Sequence, residues 1–201
     1  MINKALRNSE NGKFTYADYC TWDDGDSERW ELIDGRAYAM AAPTLAHQRI
    51  SRRLLKRFEE FLEGKTCEAF SAPCDVRLNH AKGDDTVVQP DLLVVCDPSK
   101  LADGKSVKGA PDLVIEILSP STIFHDKVTK LKKYRQAGVR EIWFVDPATE
   151  ITEVFRPGNN NEPFDIYART DNVLVSILPE LTINLDEIFE PQVQQEQRQE
   201  V

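Results

Sequence analysis

The sequence predicts an α/β (α+β) fold, a mixed β-sheet flanked by helices. Three observations carry that prediction. The branched, apolar run "PDLVIEIL" (111–118), a helical pattern over about 123–137 and the run "REIWFVDP" (140–147) form a β-α-β unit. Such a crossover joins parallel strands and is right-handed in nearly all proteins. The strand-like runs upstream are joined by loops too short for a crossover helix, so they are expected to pair antiparallel. Finally, Ile50, Leu54, Leu55, Phe58 and Leu62 fall on one face of a helix, the stripe of an element packed on a core.

The elements follow in chain order. "FTYADYCTW" (14–22) reads as a short helix. "RWELIDGRAYAM" (29–40) holds Asp34-Gly35 between two strand-like runs, and Asp-Gly supplies the positive φ angles of a two-residue hairpin turn. Thr44 caps a helix that runs to about Glu63, where Gly64 ends it. "CDVRLN" (74–79) alternates like a strand. "VVQPDLLVVC" (87–96) reads as another, followed by a Lys/Gly/Asp loop (97–109). Gly138 stops the helix of the β-α-β unit. "TEVFRP" (152–157) folds back on "REIWFVDP" through the "DPATE" turn, and 164–186 reads as short strands. The polar, low-complexity segment 191–201 is expected to be disordered.

At 201 residues the chain reads as one domain, 1–190, followed by that tail. It is 41% hydrophobic and 29% charged, the composition of an ordinary globular protein with a core that needs no staples. A net charge of −9 argues against a broadly basic nucleic-acid coat and leaves room for a local basic patch. Four cysteines, at 20, 67, 74 and 96, form no CxxC and no zinc spacing, so four reduced thiols in a cytoplasmic protein are expected. "MINKALRNSENGKF" has no apolar core of a signal peptide, and no run approaches the ~18 apolar residues of a membrane span. A membrane partner is therefore not expected.

Glu116 poses the chemical question. A carboxylate inside "PDLVIEIL" costs several kcal/mol unless it is paired, protonated or bound to a metal. The sequence holds a second, similar phrase, "QPDLLVV", so Asp91 and Asp112 each stand at a strand start. Asp112 and Glu116 share one strand, with Cα atoms about 13 Å apart. That is too far for two ligands of one magnesium ion, which each lie about 2.1 Å from it. If the two Pro-Asp strands pair antiparallel, Asp91 lies beside Glu116 instead, with Cβ atoms about 5 Å apart. Downstream, Asp126, Lys130 and Tyr134 stand at i, i+4 and i+8 on one helical stripe that starts just past Glu116. Alternative readings are a Glu116 paired with a basic residue, an Asp91 that only starts its strand, and lysines that form a solvated face.

These residues resemble a known family. "QPDLLVV", "PDLVIEILSPST", the stripe of Asp126, Lys130 and Tyr134, "GVREIWFVDP" and the upstream "WELIDGRAYAMAAPTLAHQRIS" look like the Uma-type family of putative restriction endonucleases, in the PD-(D/E)xK nuclease superfamily. The resemblance covers about residues 28–190. It implies a restriction-endonuclease-like mixed sheet flanked by helices. It also implies Mg²⁺-dependent (or Mn²⁺-dependent) hydrolysis of a DNA phosphodiester, and superfamily analogy suggests a homodimer. Asp91 matches the first metal-binding acid and Glu116 the second. The superfamily's lysine usually follows two residues after that acid, where this chain has Leu118. The family pattern places a lysine on the following helix, matched by Lys130. Glu31, in "ELIDG", matches an upstream acid, and His47 matches a family position that could support the site from a helix start.

Three functions follow as expectations. The first is a metal-dependent DNA endonuclease with Asp91, Glu116 and Lys130 as its catalytic residues. The second is a nuclease-fold binding or regulatory module without catalysis, which the acidic charge favours somewhat. The third is a metal-dependent hydrolase of RNA or nucleotides. For the first, Arg49, Arg52, Arg53, Lys127, Lys130 and Lys133 are expected to form a positive rim. Lys130→Ala is expected to leave thermal stability nearly intact.

Overall fold

A computed structural model describes residues 12–22, 29–158 and 163–189. A short helix α1 (Tyr16–Tyr19) precedes a hairpin of β1 (Trp30–Ile33) and β2 (Arg36–Ala39). Asp34 and Gly35 turn it with φ of 51° and 77°, the left-handed pair that an Asp-Gly hairpin requires. Helix α2 (Leu45–Leu62) starts where the Thr44 side chain accepts the His47 N–H at 3.2 Å. It buries Ile50, Leu54, Phe58 and Leu62. Replacing one of these, such as Leu54, with Ala costs about 2–5 kcal/mol through the cavity it leaves.

The strands that follow are β3 (Glu68–Ser71), β4 (Val76–Arg77), β5 (Val87–Val88) and β6 (Leu92–Val95), then β7 (Val107–Lys108) and β8 (Leu113–Ile117). A helical crossover of a π segment (His125–Lys130) and α3 (Leu131–Ala137) leads to β9 (Glu141–Asp146). Gly138, at φ 93°, ends it by donating to the Tyr134 and Arg135 carbonyls. Strand β10 (Ile151–Phe155) folds back antiparallel on β9. The chain ends in β11 (Asp165–Ala168), β12 (Asn172–Leu174), β13 (Thr182–Asn184) and a short α4 (Leu185–Ile188).

The expected β-α-β unit is present, with β8 parallel to β9. The expected mixed β architecture is present too, spread over more than one sheet. A six-stranded sheet, ordered β11-β10-β9-β8-β6-β3, and a five-stranded sheet, ordered β2-β1-β5-β4-β7, stand beside a β12–β13 ribbon. The run 87–96 is two strands, not one: β5 belongs to the smaller sheet and β6 to the larger. The change of sheet falls at Gln89-Pro90-Asp91, where Pro90 has no N–H for a ladder and the Gln89 N–H goes to a side chain. The strand expected over 74–79 shrinks to two residues, because a turn begins at Leu78.

Both faces of the larger sheet are covered. Leu92, Val94, Leu113, Ile115 and Ile117 pack against α2. Their neighbours Leu93, Val95, Val114 and Leu118 pack with Leu131 and Tyr134 of α3. Glu116 alternates onto this second face, the face of the crossover helix. Leu118, where the superfamily places its lysine, is buried in that apolar cluster.

The expectation of four reduced thiols is corrected. Cys67 and Cys96 form a disulfide with Cα atoms 3.9 Å apart, while Cys20 and Cys74 are free. The reason is register: Glu68 pairs with Val95, which sets Cys67 and Cys96 opposite each other one step further on. The tail expected over 191–201 lies outside the described residues. Among the described residues no helix is long and apolar enough to cross a membrane.

Candidate active site

Strands β6 and β8 pair antiparallel, Leu92 opposite Ile115 and Leu93 opposite Val114. One step further, that register sets Asp91 opposite Glu116. The Asp91 Oδ2 atom accepts the Ile117 N–H at 2.7 Å and lies 3.1 Å from His47 Nε2, in the first turn of α2. Asp112 points elsewhere: it accepts the Cys96 N–H at 2.8 Å and pairs with Arg140 at 2.9 Å.

The helical stripe converges on Glu116. Lys130 Nζ lies 2.7 Å from Glu116 Oε1, 2.9 Å from Glu31 Oε1 and 3.5 Å from Asp126 Oδ1. Tyr134 donates its hydroxyl to Glu116 Oε1. Glu31 comes from the smaller sheet, where Oε1 also accepts the Gln89 N–H at 2.9 Å. Glu31, Glu116, Asp126 and Lys130 are all buried, at the bottom of a cleft of about 930 Å³ that Asp91 and His47 also line. The structure thus brings together Glu31, His47, Asp91, Glu116, Asp126, Lys130 and Tyr134, each singled out in the sequence.

Comparisons with known proteins give the family and the fold. The Uma2 family model, described as "Putative restriction endonuclease", matches residues 16–186. The chain belongs to this family. Uncharacterized protein slr1290 of Synechocystis is 30% identical over 141 residues, 69% of this chain and 71% of that one. A second Synechocystis protein, uncharacterized sll1609, is 27% identical over 122 residues, covering 60% of this chain and 67% of its own. Among solved structures, a putative nuclease belonging to DUF820 from Anabaena variabilis has the same fold. Its TM-score is 0.71 at 19% identity, over 88% of this chain and 97% of that one.

In this Uma2 chain, three carboxylates surround one buried ammonium, with Asp91 beside Glu116, and that imbalance sets the protonation. Burial, with repulsion from Asp126, Asp91 and Glu31, outweighs the pull of Lys130 and holds the Glu116 carboxyl well above its usual range. Burial also raises Asp126. Glu31 goes the other way. Burial would raise it, yet the Lys130 charge and the Gln89 N–H outweigh that and bring it to about 2. Lys130 is desolvated, but Glu116, Glu31 and Asp126 push its pKa well above the ordinary lysine value, so it is an ammonium at neutral pH. A buried cluster with more acids than cations is stabilised by added positive charge.

The donor set suits a divalent cation. Among the described residues no three His, Cys, Asp or Glu side chains form a ready-made metal cage. Magnesium needs none, because it is commonly held by one or two carboxylates with water and substrate phosphate completing the shell. Glu116 uses Oε1 for both Lys130 and Tyr134, and Asp91 uses Oδ2 for both Ile117 and His47. Each keeps a second oxygen that makes no hydrogen bond among the described residues.

Two members of the site were missed in the sequence. Gln89 fixes Glu31 through its backbone, and His125 places Nε2 3.8 Å from Glu31 Oε2 with its ring 4.6 Å from that of Tyr38. The available signal was adjacency, since Gln89 precedes Pro90-Asp91 and His125 precedes Asp126. The expected positive rim is also corrected. Lys127 pairs with Glu153, Lys133 with Asp34, and Arg53 donates to the Ile188 carbonyl, so none of the three lines the cleft. Arg49, Arg52 and Lys130 of the expected set do line it, together with Arg29.

Proposed function

We propose that the protein is a metal-dependent endonuclease that hydrolyses DNA phosphodiester bonds. The observation that carries this reading is the meeting of Asp91 and Glu116 across β6 and β8, with Lys130 held against Glu116 from the crossover helix. Asp91 and Glu116 would supply hard oxygen ligands to Mg²⁺ or Mn²⁺. That ion, when bound, would lower the pKa of a coordinated water and neutralise charge building on the phosphate.

The remaining steps belong to the side chains. The Ile117 N–H and His47 hold Asp91 in orientation, and Tyr134 does the same for Glu116. Lys130 is fixed by Glu31 and Asp126. As an ammonium it cannot take a proton, so it acts as a donor to the oxygen that gains negative charge in the transition state. Its approach from the helix supplies what the buried Leu118 cannot. The test is incubation of supercoiled plasmid with Mn²⁺, comparing the native chain with Asp91→Ala. Nicked or linear product from the native chain alone supports the reading, and equal products or none from either defeat it.

A further inference from the structure

We propose that the cleft receives an unpaired nucleic-acid strand, whose bases stack on an apolar rim, rather than an undistorted duplex. This rests on the nuclease reading above and names the form of its substrate. The rim has two arms. On the β2–α2 connection and at the start of α2, Ala42, Pro43 and Leu45 are exposed and line the cleft, and Leu45 is 73% exposed. On the β8-to-π connection, Pro120 and Ile123 line it, and Phe124, next in the chain, is 75% exposed. Apolar surface from two separate connections thus borders a floor made of acids and one lysine.

A duplex has little to offer such arms. Its outer surface is sugar and phosphate, and its bases are sealed inside. Pressing Leu45 or Phe124 against phosphates would strip their hydration and return no apolar contact. An unpaired strand exposes the π-faces of its bases, which stack on apolar and aromatic side chains without regard to sequence. Depth points the same way. Lys130 and Glu116 are each 3% exposed, so a phosphate must be inserted between the arms to reach them. A flexible strand can bend one phosphate inward while the flanking bases splay onto the rim, whereas a duplex, with a persistence length of about 150 bp, must be deformed to do so.

Charge supplies the complementarity. Arg29 and Arg52 line the cleft and, among the described residues, make no ion pair. On a chain of net charge −9 they suit a few phosphates of one strand better than the many contacts on which duplex affinity depends.

The test is fluorescence anisotropy of the full chain with a labelled oligothymidylate and with a labelled duplex, in EDTA so that no cleavage intervenes. The single strand should bind at least tenfold more tightly. Phe124→Ala and Leu45→Ser should each weaken single-strand binding about five- to tenfold and leave duplex binding unchanged. Arg52→Ala should lower the slope of log affinity against log salt by about 0.7. Equal affinity for both forms, with the rim variants indifferent, overturns the inference and leaves the nuclease reading standing. Binding of neither form overturns the inference, while plasmid cleavage with Mn²⁺ decides the nuclease reading. If the rim variants change the sedimentation coefficient of the free chain instead of its affinity for the strand, the rim is a contact between copies and the inference falls.

Discussion

The antiparallel pair of β6 and β8 has two ends, and they begin alike. At one, Pro90-Asp91 opens β6 and Asp91 accepts the Ile117 N–H. At the other, Pro111-Asp112 opens β8 and Asp112 accepts the Cys96 N–H. Each aspartate bonds the amide one residue beyond the position its strand register sets opposite it. The phrase is therefore a device for tying a strand start to its neighbour's end. What differs is the company. Opposite Asp112 lies Val95, and Arg140 neutralises the acid. Opposite Asp91 lies Glu116, and beyond it come Glu31, Asp126 and a single lysine. The motif places a carboxylate, and the residue across the strand decides whether the place is chemical.

The sharpest way to break that comparison is to exchange the two aspartates for alanine. Asp91→Ala should lower plasmid cleavage by at least a hundredfold and abolish the rise in melting temperature on adding Mn²⁺. Asp112→Ala should keep both. It should lose about 1–3 kcal/mol of stability in urea titration, because it strands the Cys96 N–H and Arg140. If Asp112→Ala loses the metal-induced shift as well, the two ends are not different in kind.

Lys130→Ala tests the balance at the chemical end. The near-intact stability expected from sequence does not hold for a lysine buried among three carboxylates. Its removal should cost about 3–5 kcal/mol in addition to activity, since Glu31, Glu116 and Asp126 are left without a cation. By contrast Lys133→Ala, which loses only a pair with the exposed Asp34, should cost less than about 0.5 kcal/mol. Equal effects of the two substitutions would dissolve the distinction between stripe and surface.

The disulfide sits at the structural end, joining Cys96 to Cys67. In the chain-entropy view, closing a loop of this length stabilises by about 3–4 kcal/mol. Dithiothreitol should lower the melting temperature accordingly while the metal-induced shift persists. Loss of that shift on reduction would show that the two ends are coupled.

The smallest effect expected is a pH dependence. Glu116 is raised in the folded chain, so its contribution to stability is full below its ordinary pKa of 4.5 and is lost as pH rises through the folded value. Bound cation favours the ionised carboxylate. The metal-induced melting shift should therefore grow as pH rises above the ordinary carboxylate range, and flatten in Glu116→Gln. Glu31, lowered to about 2, stabilises above its ordinary pKa of 4.5 and loses that contribution only as pH falls toward 2. It should add no slope in the same window.

Much of this was legible before folding. The hairpin at Asp34-Gly35, the Thr44 cap, the crossover and its Gly138 stop are local signals, each carried by a few adjacent residues. Asp91, Glu116, Asp126, Lys130 and Tyr134 could be placed because strand register and helical spacing are periodic, while Glu31 and His47 were reached through the family resemblance. The division into two sheets was legible only as the break at Pro90, and nothing in the run 87–96 says that its two halves join different sheets. Neither was the π segment, because its side-chain pattern matches that of an α-helix. The Cys67–Cys96 bond depends on a strand pairing 29 residues apart in sequence, which no local rule supplies.

The seam at Gln89-Pro90-Asp91 has a consequence for how the molecule opens. Glu31 belongs to one sheet and Glu116 to the other, and Lys130 is bonded to both. Neither sheet can peel away without leaving a buried carboxylate unpaired, so the lysine works as a rivet between two plates. The Gln89 and Ile117 amides, each donated to a carboxylate of the cluster from opposite sides of the seam, should then exchange with deuterium in one event at one rate. Cutting the rivet by Lys130→Ala should let the Gln89 amide exchange first, as the smaller sheet becomes the weaker plate.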